Sequence, residues 1–141
     1  MKKVAVLVED QYQVLEVWYP YLRLQEAGFK PVFVGTGIKK KYESKEGYLT
    51  EEEISIKQAK VSDFDSVVIP GGYAPDILRR YPEMNIFVEK MYEKGKLVTA
   101  ICHAGWVLVS AGILKDKKAT CFFSPSKTML LMQARNMLIK K

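Results

Sequence analysis

The chain has 141 residues, 48% of them hydrophobic, and a formal net charge of +6. That length supports one domain with an ample core, and no run of about 18 apolar residues offers a membrane span. The charge excess sits in Lys39-Lys40-Lys41, around Lys115 to Lys118 and at Lys140-Lys141, where no nucleic-acid motif accompanies it, so neither nucleic acid nor membrane is an expected partner.

Met1-Lys2-Lys3 runs straight into Val4-Ala5-Val6-Leu7-Val8 with no small-residue cleavage site, which reads as a first buried strand and not as a signal peptide. Tyr12 to Ala27 has apolar residues at helical spacing, with Pro20 inside it as an expected bend and Gly28 as its C-terminal stop. Pro31 to Gly35 reads as a second strand, and Glu46-Gly47 between two short β-like runs as a hairpin over Tyr42 to Thr50. Ser66 to Pro70 is a third buried strand that ends in Gly71-Gly72. Asp76 to Arg80 and Asn85 to Lys94 read as helices, Leu97 to Ile101 as a strand, Gly105 to Ala111 as a helix and Ala119 to Phe123 as a last strand. Alternation of this kind implies an α/β fold, a mostly parallel sheet with helices on both faces. Ligand sites in such sheets lie beyond the carboxyl ends of the strands, where Glu9, Gly71-Gly72 and Cys102 are expected to gather.

The most informative stretch is Val98-Thr99-Ala100-Ile101-Cys102-His103-Ala104-Gly105. A strand that turns into a helix at one residue is a nucleophile elbow, and a helix N-terminus there favours the thiolate. Cys121, in an apolar strand, reads as inert. The two cysteines make no disulfide framework, and a reducing, cytoplasmic setting follows. Glu16, in the first turn of the first helix, should reach the same crevice, where a protonated carboxyl would hydrogen-bond a thiolate. Gly71-Gly72 lets backbone N–H groups approach a ligand closely, as an oxyanion hole requires. His103 adjoins Cys102, so the two side chains are expected to diverge. A carboxylate for the histidine must then come from elsewhere, and Asp76 is the candidate.

In combination these residues resemble the ThiJ/PfpI family, flavodoxin-like proteins with a glutamine-amidotransferase-like fold. The resemblance runs from Val4-Ala5-Val6-Leu7-Val8 through Glu16 with Tyr19-Pro20, Ser44-Lys45-Glu46-Gly47-Tyr48 and Val67-Val68-Ile69-Pro70-Gly71-Gly72. It continues through Ala74-Pro75-Asp76 and Ala100-Ile101-Cys102-His103-Ala104 to Ser110-Ala111-Gly112. It implies a three-layer sandwich with Cys102 as nucleophile, Glu16 as its hydrogen-bonding carboxyl, and Gly72 with the His103 N–H as oxyanion hole. Asp76 stands where the protease-like branch has a glutamate that reaches a neighbouring subunit's site. The resemblance also implies a homo-oligomer, a dimer or hexamer, with neither cofactor nor metal. The activities implied are attack on small reactive carbonyls or glycated adducts, in a glyoxalase- or deglycase-like manner, or peptide hydrolysis. The alternatives are a non-enzymatic sensor of oxidative stress through Cys102, or an inactive remnant.

The resemblance ends near residue 124, which makes residues 1–124 the domain and 125–141 an atypical tail. Family members usually continue with a string such as Ile-Lys-Asp-Asp-Ala-Val-Asn-Ala-Gly-Ala-Lys-Tyr-Val-Asp. Codons for that string, read one nucleotide later, spell Ser126 to Ile139 residue for residue. A frameshift near Pro125, in the gene or in its sequencing, accounts for the tail; a short variant is the alternative. Genomic resequencing across the Pro125 codon is expected to restore the family frame, and an unaltered reading establishes the short variant.

Overall fold

The computed structural model describes residues 1–119 and the backbone of residues 136 and 137. Five parallel strands form the central sheet: β1 (Lys3–Leu7), β2 (Lys30–Gly35), β5 (Ile54–Ser55), β6 (Ser66–Ile69) and β7 (Leu97–Ala100), in the order β5-β2-β1-β6-β7. Helix α1 (Val14–Glu26) packs on one face. Helices α2 (Ala74–Leu78), α3 (Pro82–Glu93) and α4 (Gly105–Ser110) serve the other. The strand order reverses beside β1, so the crevice beyond the carboxyl ends of β1 and β6 is where a parallel sheet of this kind binds ligands.

Strand β1 shows why the sheet is a middle layer. Its alternate residues divide between two cores: Val6 and Val8 pack with Val17, Trp18 and Phe33 under α1, while Ala5 and Leu7 pack with Val67, Met84 and Val88 under α3. The valine, leucine and methionine side chains among them, fully withdrawn from water, contribute about 1.5–3 kcal/mol each. Helix α1 runs through Pro20 without a break. It ends as the sequence implies: Gly28 takes φ 80°, and the N–H groups of Gly28 and Phe29 donate to Gln25 and Leu24. Pro82 opens α3 at its first turn, three residues before the expected start, because a proline's fixed φ and missing N–H fit that position. Helix α2 likewise starts two residues early, with Pro75 in its first turn.

The hairpin pairs β3 (Lys41–Glu43) with β4 (Leu49–Glu51) outside the central sheet. Tyr12, fully buried, fastens it: its hydroxyl donates to Tyr48 O at 2.7 Å and lies 2.8 Å from Thr50 Oγ1. Strand β8 (Lys118–Ala119) begins the expected last strand and pairs in parallel with β9 (Asn136–Met137). Cys121, Phe122, Phe123 and the intervening tail lie outside the described residues. Among the described residues no helix is long and apolar enough to cross a membrane.

Glu9 departs from expectation. It does not open into the crevice; it is buried between β1 and β2, accepting from Thr36 Oγ1 at 2.5 Å and from the Asp10 N–H at 2.9 Å. Burial raises its pKa above the usual carboxylate value, with Asp10 adding to the rise; the bonds from Thr36 and Asp10 N–H, and Lys39, oppose it. Tyr42 and Glu52 complete the cluster, with Tyr42 OH 3.1 Å from both Thr36 Oγ1 and Glu52 Oε2. An acid whose folded pKa exceeds its unfolded value of about 4.3 stabilises the fold fully below that value and loses its contribution as pH rises through the folded pKa. Glu9→Gln removes this titration, so the variant's stability relative to wild type is expected to rise between about pH 4 and pH 7. Denaturant melts at the two pH values check it; a flat difference refutes the shift.

Candidate active site

Three chain segments meet at the carboxyl edge. The backbone of Gln11–Gln13 follows β1, Gly71-Gly72 follows β6, and Cys102 follows β7. Gln13 N–H donates to Gly71 O at 3.2 Å and Tyr73 N–H to Gln11 O at 2.8 Å, which stitches the first two segments together. Gly72 takes φ 83°, and a Cβ there would fall 2.6 Å from Gln13 N. Gly71 has a different constraint. A Cβ on it would sit 2.5 Å from both Cys102 Cβ and Glu16 Oε2, and 3.1 Å from Cys102 Sγ. Both glycines are thus required by close approach.

Cys102 takes φ 60°, the left-handed region that side chains rarely adopt. Such a backbone outlier at the end of a strand is the elbow expected from the sequence. The elbow continues as a single 3-10 turn, Cys102–Ala104, before α4 begins. Helix α4 starts at Gly105, as the sequence implies, and ends at Ser110, one residue short of the expected Ala111.

The expected divergence of Cys102 and His103 is overturned. Cys102 Sγ lies 3.3 Å from His103 Nδ1. The left-handed residue followed by the tight turn brings two adjacent side chains to the same side, which ordinary helix or strand geometry would not. The His103 ring also packs against Trp106, with centroids 5.3 Å apart.

Glu16 is where the sequence placed it, in the first turn of α1 and against the thiol's wall. Its Oε2 accepts the Gly71 N–H at 2.8 Å. That bond fixes the carboxyl beside Cys102 and satisfies the glycine turn at the same time. Asp76 is buried at 6% exposure and is held by two arginines at the end of its helix: Arg79 Nε donates to Oδ1 at 2.9 Å and Arg80 Nη2 donates to Oδ2. Burial pushes its pKa up, but the bonds from Arg80, Tyr73 and Arg79 outweigh this and hold the carboxyl below the usual range. Within the chain, then, Asp76 is engaged by two arginines and is not brought to the thiol.

A cavity of about 460 Å³ opens over the thiol, lined by Gln13, Glu16, Lys45, Gly72, Tyr73, Cys102, His103 and Trp106. Four of these were not singled out as site residues from the sequence. Gln13 is the N-cap of α1, its Oε1 accepting Leu15 N–H at 2.8 Å. Tyr73 and Trp106 make an edge-to-face pair with centroids 6.2 Å apart. Lys45 comes from the hairpin. Trp106, the second residue of α4, carried no spacing signal, because Cys102 lies before that helix in a left-handed conformation.

A family model described as the DJ-1/PfpI family matches residues 2–138. The chain belongs to this family. It is 37% identical over 118 residues to "Deglycase TK1284" of Thermococcus kodakarensis, covering 84% of this chain and 70% of that protein. It is 36% identical over 129 residues to "Putative cysteine protease YraA" of Bacillus subtilis, covering 92% of this chain and 76% of that one. Among solved structures, the DJ-1/ThiJ/PfpI-like part of a two-domain protein from Anabaena variabilis, which also has a ferritin-like domain, is similar with a TM-score of 0.92 and 40% identity. That match covers 99% of this chain, which spans only 40% of the two-domain protein. Drosophila melanogaster DJ-1beta, at 24% identity and a TM-score of 0.87 over 99% of this chain and 75% of that one, shares the fold. The flavodoxin-like sandwich implied by the sequence is therefore the fold of this DJ-1/PfpI member.

The packing around Gly71 makes one substitution decisive. Gly71→Ala is expected to displace Cys102 or Glu16, costing about 1–3 kcal/mol of stability. It should also slow alkylation of Cys102 by iodoacetamide at least tenfold. Denaturant melts and mass spectrometry of the labelled peptide measure the two effects; wild-type behaviour in both would show that the three groups are not tightly packed.

Proposed function

We propose that the chain is a cysteine-dependent enzyme acting on small reactive carbonyls or on early glycation adducts. The observation that carries this reading is the left-handed Cys102, whose Sγ lies 3.3 Å from His103 Nδ1 in a cavity shared with Glu16 and Gly72. With Nδ1 unprotonated, His103 accepts the thiol proton. The sulfur then attacks the carbonyl carbon, forming a C–S bond while the carbonyl π pair moves to oxygen. The oxyanion is positioned beside Gly72 and the backbone of His103, and the imidazolium returns the proton to it. The result is a thiohemiacetal with atoms and charge balanced. Glu16, tied to the Gly71 N–H, keeps the wall of the site in register with the sulfur.

A cavity of about 460 Å³ suits a small molecule better than an extended peptide. Relatives named as deglycases support the carbonyl reading, and the relative named as a cysteine protease supports the peptidase alternative. A panel of methylglyoxal, glycated amino acids and casein, run on wild type and Cys102→Ala, separates them. Turnover of methylglyoxal or of the glycated amino acids, abolished in Cys102→Ala, is expected. Turnover of casein alone would establish the peptidase. Stoichiometric oxidation of Cys102 without any turnover would establish a sensor instead.

A further inference from the structure

We infer that Lys45 is an anion anchor that selects carbonyl substrates bearing a carboxylate, the carbonyl meeting Cys102 while the carboxylate meets the Lys45 ammonium. The inference rests on the carbonyl reading above and deepens it.

The lysines at the hairpin's entry are already engaged. Lys39 pairs with Asp10, Lys40 donates to Glu52 O, and Lys41 pairs with Glu51 at 2.9 Å. Lys45 differs: among the described residues no carboxylate forms an ion pair with it, and it is one of the residues that line the cavity over the thiol. Its backbone is nonetheless firmly placed. Lys45 N–H donates to Tyr12 O at 3.1 Å, and Ser44 Oγ on one side accepts from both Glu46 and Tyr48 N–H at 3.1 and 3.0 Å. A hydrogen-bonded loop thus carries an exposed Lys45 to the cavity.

The other polar groups of the cavity point to the same ligand chemistry. Gln13 has committed its carboxamide oxygen to Leu15 N–H, so what it has left to offer is its NH₂ donor. Glu16, half-buried against Gly71 and Cys102, has one oxygen on the Gly71 N–H. An anionic substrate group is attracted to the charge of Lys45, and a short carboxylated aldehyde held there presents its carbonyl to the sulfur. A neutral dicarbonyl gains nothing from this arrangement. Tyr73 and Trp106, packed edge to face, add aromatic lining to the same cavity.

Two alkylating agents of nearly the same shape, iodoacetate and iodoacetamide, differ in carrying or lacking the carboxylate. Their rate ratio at the Cys102 peptide, followed by mass spectrometry, reads the anchor without any turnover. The charge on His103 acts on the ratio equally in every variant and cancels. Lys45→Ala is expected to lower the iodoacetate-to-iodoacetamide ratio roughly three- to tenfold, the effect of one unit charge across a partly solvated gap. Lys45→Arg is expected to keep the ratio near wild type. So is Lys57→Ala, which removes the same charge from a separate surface cavity. Glyoxylate, whose aldehyde carries a carboxylate, should protect Cys102 from iodoacetamide at lower concentration in wild type than in Lys45→Ala. A ratio unmoved by Lys45→Ala, or lowered as much by Lys57→Ala, overturns the anchor. Failure of the carbonyl panel with the ratio still dependent on Lys45 would instead overturn the carbonyl reading and leave the anchor standing.

Discussion

The site depends on how closely three stretches of backbone approach one another at the carboxyl edge of the sheet. Gly71 and Gly72 lie between the Gln11–Gln13 backbone on one side and Cys102 with Glu16 on the other, and a single methyl group on either glycine would collide. This closeness lets the Gly71 N–H take a carboxylate from α1 while the Gly71 carbonyl takes the Gln13 N–H at the entry to that helix. One residue thereby ties α1 to β6 at two points. A half-buried carboxyl with a backbone donor costs far less than one without, so Glu16 can stand beside a thiol in the wall of the site.

Cysteine and histidine as neighbours in sequence make an unusual pair, because consecutive side chains ordinarily point apart. The left-handed backbone at Cys102 reverses that, at a cost of order 1–3 kcal/mol. The surrounding fold over-determines the conformation: β7 hydrogen-bonds to β6 up to Ala100, Ile101 N–H donates to Ile69 O at 3.3 Å, and Ala104 lies fully buried just beyond. Strain of this sort persists only where the packing leaves no alternative. Here it converts a local backbone defect into contact between two reactive groups.

The alternation of strands and helices was legible because continuous apolar runs such as Val4–Val8 and Val67–Ile69 belong to buried parallel strands. Strand β5 was not, since two residues beside Glu51-Glu52-Glu53 carry no period. The positions of Cys102, Glu16 and the glycines followed from where strands end, which is topology. The Cys102–His103 contact did not follow, because it turns on one dihedral angle that no spacing encodes. Asp76 is a different case. Arg79 and Arg80, three and four residues on, at and just past the end of α2, were visible as its partners, since the chain was expected to be helical from Asp76 to Arg80. Glu9 was placed at the right end of β1, but the Thr36 hydroxyl on the neighbouring strand turned it inward, a contact across 27 residues of chain.

The hairpin stands apart from the five-stranded sheet, and its loop is held through Tyr12 and a serine turn. Lys45 and Glu46, between these fastenings, contribute only their backbone N–H groups to them. Exchanging those two side chains would redraw the charge beside the cavity while Ser44, Tyr48 and Tyr12 keep the loop in place. The border of the cavity is thus separable from its floor, where the sulfur, the histidine and the glycine turn lie.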